Sequence, residues 1–330
     1  MARITYREAL RQALREEMQR DPTVFLLGED IAQFGGAYKV TQGLFEEFGP
    51  ERVKDTPISE EAIIGAGIGA AMVGLRPVAE IMTINFILVA IDQIVNNAAK
   101  INYMFGGQVC VPVVIRTPQG AGHQLGAQHS QNFDVYFAYV PGLKVVCPAT
   151  PADAKGLLKT AIRDDNPVLF IENLALYNTL GEVPDAEYLV PLGQARLARV
   201  GRDLTLIAHS RMVLTALQAA ATLAQEGIDA EVVDLRSLRP LDVGTLVESV
   251  RKTTRGIVIG EDWRSYGVSA EIAATLQEEA FDFLDAPIGR INTAEVPLPY
   301  SKPLETAALP QVAQVVAAAK ALLPRRLRTV

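Results

Sequence analysis

The stretch DTPISEEAIIGAGIGAAMVGLRP, residues 55–77, sets two adjacent carboxylates, Glu60 and Glu61, at the head of a run of small apolar residues. Ser59 stands where an N-cap belongs, so both acids fall in a first helical turn, where the macrodipole favours negative charge. Gly65 and Gly69 are four apart, as are Ala62, Ala66 and Ala70. One side of a helix over 59–74 is therefore almost bare and open to close approach by another backbone. GAGIGA (65–70) also fits the loose glycine fingerprint of dinucleotide-binding folds. That fingerprint needs its first glycine in the turn straight after a strand, whereas these glycines fall inside a helix already begun. Tight helix packing is the use this spacing predicts. RPVAEIM (76–82), an apolar run of strand length, follows at once.

The same alternation runs outward in both directions. VFLLGED (24–30), VPVVIRT (111–117), LKVVCPA (143–149) and PVLFIEN (167–173) read as further strands, with helices over 86–104 and 151–164. The second of these helices has a strong start signal in Thr150, Pro151 and Asp153. Periodicity lapses over YNTLGEVPDAEYLVPLG (177–193) and then resumes. Strands are expected at 203–210, 228–235, 255–262 and 287–294, and helices at 211–226, near 242–252, at 268–280 and at 310–323. Strands apolar on both faces and separated by helices imply parallel sheets covered on both sides. The expectation is an α/β chain of two domains, 1–180 and a smaller 201–330, joined by a linker over 181–200.

Bulk properties narrow the function. Of the 330 residues, 49% are hydrophobic and 21% charged, and the net charge is −7. With a pI near 5.2, a nucleic-acid footprint is not expected. The mean hydropathy of +0.17 points to surface buried against partner chains. No apolar run is long enough to cross a bilayer, and the charged, amphipathic start is unlike a signal peptide. A soluble protein of the bacterial cytoplasm, or a mature organelle form, is the expectation. Cys110 and Cys147 sit in strand-like contexts, and His123, His129 and His209 show no zinc-ligand spacing. Two of these histidines lie in RTPQGAGHQLGAQHSQN (116–132), a glycine-rich loop after a buried strand, where α/β proteins keep their ligands. Phe86 stands near a helix start, where a ring could lie over a flat ligand, or be core. Asp92, Gln93, Asn96 and Asn97 interrupt an apolar helix, as residues meeting a partner do.

Taken together, DTPISE, EIMTINF, AIDQIVNNAAK, GAQHSQ, PGLKVV, AIRDDNPVLFIEN and VVDLRSLRPLD carry a collinear, nearly end-to-end resemblance. The chain resembles the beta subunits of the thiamine-diphosphate-dependent 2-oxo acid dehydrogenases, the decarboxylating component of those complexes. The resemblance implies a transketolase-like pyrimidine-binding domain followed by a transketolase C-terminal domain. It implies an α2β2 heterotetramer that holds each cofactor across an alpha–beta interface.

By the same resemblance, Glu60 contacts the aminopyrimidine ring of thiamine diphosphate. A carboxyl group on N1′ favours the imino tautomer, whose 4′-nitrogen can take the C2 proton, so the protein supplies placement and proton bias. Phe86 would stack on the pyrimidine, Met82 would line its pocket, and His129 would face the substrate or the lipoyl group. A structural potassium ion would be held by Val113, Ala161, Asp164 and Asn166. Thiamine enzymes hold the magnesium diphosphate with Gly-Asp-Gly, which this sequence lacks; the alpha subunit is expected to supply magnesium and that half of the site. TPISE and INF point to pyruvate as the 2-oxo acid, with acetoin and branched-chain 2-oxo acids as alternatives. Oxidative decarboxylation with reductive acetylation of a lipoyl domain is the implied reaction. The acyltransferase core's subunit-binding domain would dock around the last helix and LPRRLRTV. From other classes, the alternatives are a Rossmann-like nucleotide-binding protein, whose glycine pattern is misplaced here, and a non-catalytic assembly subunit, against which Glu60, Phe86 and His129 together argue. Nicotinamide binding would reveal the former, and an inert Glu60→Gln change the latter.

Overall fold

The computed structural model describes residues 1–323. In chain order the strands are β1 (Ala2–Thr5), β2 (Val24–Gly28), β3 (Val53–Asp55), β4 (Arg76–Glu80), β5 (Val114–Gln119), β6 (Lys144–Val146), β7 (Val168–Asn173), β8 (Leu180–Val183), β9 (Arg196–Arg199), β10 (Leu204–Ala208), β11 (Ala230–Asp234), β12 (Ser237–Arg239), β13 (Gly256–Trp263) and β14 (Gly289–Thr293). The chain divides into two compact α/β units. The first holds Met1–Gly193 and Ser237–Pro240; the second holds Gln194–Arg236 and, among the described residues, the chain from Leu241 to residue 323. Residues 181–193 thus pack with the first unit and 194–200 with the second.

The first unit is built on a seven-stranded sheet in the order β12-β6-β7-β5-β4-β2-β3. Every pairing is parallel except β12 on β6. β2, β5 and β7 are buried at every position, as expected of strands covered on both faces. Helices Tyr6–Arg20 and Pro151–Arg163 pack together on this sheet. Thr5 caps the first by accepting from the Glu8 amide (3.2 Å), and Thr150 caps the second from Asp153 (3.1 Å) with Pro151 in its first turn. Glu16 lies between Lys155 (2.6 Å) and Lys159 (2.7 Å), and buried Glu17 meets Arg163 at 2.6 Å.

Two expectations need correction here. Residues 86–104 do not form one long helix. They form a 3-10 turn Ile87–Ala90, a π-helical stretch Gln93–Ala98 and a short α-helix Ile101–Met104. The wider π turn comes where polar side chains bond along the helix, Asn96 Nδ2 to Asp92 (2.6 Å) and Asn97 Nδ2 to Gln93 (3.1 Å). Ser59 does occupy the N-cap of the Glu60–Met72 helix, but its hydroxyl makes no capping hydrogen bond.

The second unit carries a five-stranded sheet, β14-β13-β10-β11-β9, parallel except for the edge strand β9. Helices Met212–Gln225, Val243–Thr253, Val268–Ala280 and Val312–Leu322 cover it, within a residue or two of the periodicity. No helix among the described residues is long and apolar enough to cross a membrane.

Candidate active site

The first sheet has a topological switch point. The chain leaves β2 toward β3 on one side, then crosses to β4 on the other and continues to β5. A crevice therefore opens beyond the carboxyl ends of β2 and β4, the place where open α/β sheets bind ligands. Gly28 ends β2 there. A Cβ on it would lie 2.9 Å from the Glu80 carbonyl oxygen, so only glycine lets these strand ends close up.

Glu60 comes to this crevice on the first turn of the Glu60–Met72 helix. Its approach is set by the Thr56 amide, which donates to the Gly28 carbonyl (3.0 Å). The side chain is buried, at 8% exposure, while Glu61 is exposed. Glu60 lies in the first turn, where the helix dipole favours an acidic side chain. Gly65 faces Gln93, whose side chain would lie 3.6 Å from a Cβ there, and Gly67 faces Val113 at 3.5 Å and Ala79 at 3.7 Å. GAGIGA lies inside this helix, so it makes no dinucleotide turn. The helix also packs against the 3-10 turn that Phe86 begins.

Met82 and Phe86 lie on the loop after β4, both half-buried. The loop after β5 brings His129 to the same place. The Phe86 and His129 rings meet edge to face, 5.4 Å apart at 89°. Asn85 ties the two loops, its Oδ1 accepting from the Gln131 amide (3.3 Å) and side chain (3.1 Å). His129 is exposed at the rim, and so is His123. Among the described residues, the buried Thr117 hydroxyl, Gln119 Oε1 and Ser130 hydroxyl have no hydrogen-bond partner. Such orphans at the root and tip of one loop mark a place built to meet something else.

The residue patterns did not single out two features. Glu29, straight after β2, carries a carboxyl raised above its ordinary value by partial burial, then by Asp30, then by Glu60. Beneath the crevice lies a buried ionic cluster. Arg116 on β5 donates to Glu80 on β4 and, through Nε and Nη2 (2.9 Å to Oε2), to Glu172 on β7. The Tyr177 hydroxyl donates to Glu172 as well (2.5 Å). Burial raises Glu80 above the usual carboxylate range; Arg116 opposes that shift and Glu172 adds to it.

The potassium ligands implied by resemblance come from the C-terminus of the Pro151–Arg163 helix and from beside β5. Val113 O already accepts from the Val168 amide (3.0 Å) and Ala161 O from the Asp164 amide (3.3 Å). The Asp164 carboxylate is bonded by Lys144 and by Asn166, whose amide lies at 2.9 Å. Lys144 supplies a positive charge at this carboxylate, so the set does not by itself call for an added cation.

Comparison with known proteins agrees with this architecture. The family model "Transketolase, pyrimidine binding domain" matches residues 2–179, and "Transketolase, C-terminal domain" matches residues 193–315. The chain is 52% identical to the pyruvate dehydrogenase E1 component subunit beta of Rhizobium meliloti (98% of this chain, 70% of that one). It is 52% identical to the same subunit of Rickettsia conorii (96% and 97%). Identity to the mitochondrial subunit of Dictyostelium discoideum is 50% (98% and 92%). Among solved structures, a split-gene transketolase described as an inactive beta4 tetramer superimposes with a TM-score of 0.79 at 27% identity, covering 97% of this chain and 98% of that one. With two transketolase domains in this order and half its residues shared with those subunits, the chain belongs to the family of pyruvate dehydrogenase E1 beta subunits.

Proposed function

We propose that this chain is the beta half of a thiamine-diphosphate-dependent pyruvate dehydrogenase, working with an alpha subunit to decarboxylate pyruvate and pass the acetyl unit to a lipoyl group. The observation that carries the reading is a buried carboxylate, Glu60, at the switch-point crevice that also receives Phe86 and His129. These residues fit an aminopyrimidine: an acid for a ring nitrogen, an aromatic face, and apolar Met82 beside it. Thiamine diphosphate, when bound, supplies the carbon that accepts the acyl unit and the electron sink for loss of carbon dioxide. Glu60 would hydrogen-bond ring nitrogen N1′ and bias where the ring carries its proton. Phe86 and Met82 would orient the ring and exclude water from one side. His129, exposed beside Phe86, would meet pyruvate or the lipoyl group and exchange protons there.

The Gly-Asp-Gly phosphate motif is missing from the sequence, so magnesium and the diphosphate would be held by the alpha subunit. Ile58 (75% exposed), Val73 (80%) and Tyr103 (87%) give the first unit apolar surface for such a partner. Docking to the acyltransferase core is proposed for the last helix and the residues after it; residues 324–330 lie outside those described. Deleting them should abolish core binding.

The test is turnover of pyruvate, 3-methyl-2-oxobutanoate and acetoin with an artificial electron acceptor, using this chain assembled with its alpha subunit, thiamine diphosphate and magnesium. Thiamine-dependent oxidation that prefers pyruvate is the expected result. A preference for another substrate would change the substrate and keep the site. No turnover by an assembled complex would reject the reading.

A further inference from the structure

Arg116 is 2% exposed, and its partners Glu80 and Glu172 are also buried. Two carboxylates against one guanidinium is a costly arrangement, since well-packed apolar side chains often serve stability as well or better. Its location suggests another use. Glu80 is the last residue of β4, and the loop carrying Met82 and Phe86 follows it directly. Arg116 lies three residues before the end of β5, after which the His129 loop begins. Glu172 is the last residue but one of β7. The backbone continues the linkage: Arg116 O accepts from the Ile81 amide (2.9 Å), and Pro118 O accepts from the Ile84 amide (2.9 Å). Asn85 and Gln131 then join the two loops at their far ends.

We propose that Arg116 is a positioning residue of the active site: by gripping Glu80 and Glu172 it fixes the carboxyl ends of three strands and so holds Phe86 edge-on against His129. The guanidinium suits this task because its planar fork binds Glu172 through two nitrogens while a third reaches Glu80. A lysine ammonium keeps the charge but is a point donor without a fork. Small errors of placement are costly in catalysis, since about 1 Å can remove roughly 100-fold in rate. The inference rests on the reading of Phe86 and His129 as site residues.

The experiment uses the assembled alpha–beta enzyme with this chain alone labelled at its histidines, which number three. The ring current of Phe86 displaces the His129 imidazole resonance, and Phe86→Leu identifies that displacement. Arg116→Lys should move the His129 signal toward its Phe86→Leu position, leave His123 in place, and lower kcat by about 100-fold with a smaller change in KM. Glu172→Gln should shift both readouts in the same direction by less, and it decides the matter if Arg116→Lys does not fold. A fall in Tm with the His129 signal and kcat at parent values would overturn the proposal and make the cluster a stability element. If Phe86→Leu leaves turnover intact, the reading of the site fails instead, and the His129 resonance still judges Arg116.

Discussion

At the scale of single residues, the site turns on what a carboxylate sees. Glu60 was legible because it begins a helix inside a distinctive motif. Glu29 was not, because an acid after an apolar run reads as the exposed end of a strand. The connection from β3 to β4 carries Glu60 back toward the end of β2, where its charge adds, after burial and Asp30, to the rise of the Glu29 carboxyl. Replacing Glu60 by Gln should lower turnover of the assembled enzyme by roughly 10²–10⁴-fold, the usual range for a lost acid–base contact. Its Tm should stay near the parent value, since glutamine keeps the size and hydrogen-bonding capacity of the buried side chain; a matching loss of stability would mean that the acid serves the fold. Asp164 makes a prediction of opposite kind. Burial pushes its carboxyl up, but hydrogen bonds from Lys144 and Asn166 outweigh burial and hold it below its ordinary value. A depressed carboxyl stabilises the fold above its unfolded value, and that stability is lost as pH falls through the folded one. Asp164→Asn should therefore be less stable than the parent at neutral pH, and the gap should close as the medium is acidified below the usual carboxylate range. A gap independent of pH would show that Lys144 contributes nothing through charge.

Among the elements, strands of the sheet centres and the long covering helices were plain in the periodicity, because each is buried at its own repeat. The segment 86–104 was not. Its apolar spacing is helical, but side-chain bonds between Asp92 and Asn96 and between Gln93 and Asn97 accompany a π-helical turn that a hydrophobic repeat cannot reveal. The Glu60–Met72 helix shows how far a bare face can be read. Gly67 sits over the sheet with ordinary contact distances for an added methyl, and Gly69 has nothing within 4 Å. Alanine at either position should raise stability of the chain by about 0.5–1 kcal/mol through helix propensity, measured by denaturant unfolding. Gly69→Ala should in addition weaken assembly with the alpha subunit if the exposed side of this helix is a docking face. Unchanged assembly would place the partner elsewhere. Gly142 is a different case: with φ at +93° and a would-be Cβ 2.0 Å from the Ala99 carbonyl oxygen, Gly142→Ala should cost at least about 2 kcal/mol.

At the scale of the whole molecule, two α/β units and their sheets follow from hydrophobic alternation, which depends on nothing beyond local order. The motifs added a family, because their collinear spacing is more specific than any fold-level pattern. What local order could not carry was contact between residues far apart in the chain. The short strand β12 leaves the surrounding second-unit sequence to join the edge of the first unit's sheet, and β1 pairs with β8 across more than 170 residues. The same holds for the site. Residue types and motif identified Glu60, Phe86 and His129 as candidates, since their chemistry is written in the side chain. That Phe86 meets His129, that the charge of Glu60 adds to the rise of the Glu29 carboxyl, and that Arg116 bonds Glu80 and Glu172 on the two neighbouring strands were decided only by the tertiary structure. Strand order and register set those distances, and the energy that selects them is collected across the whole sheet.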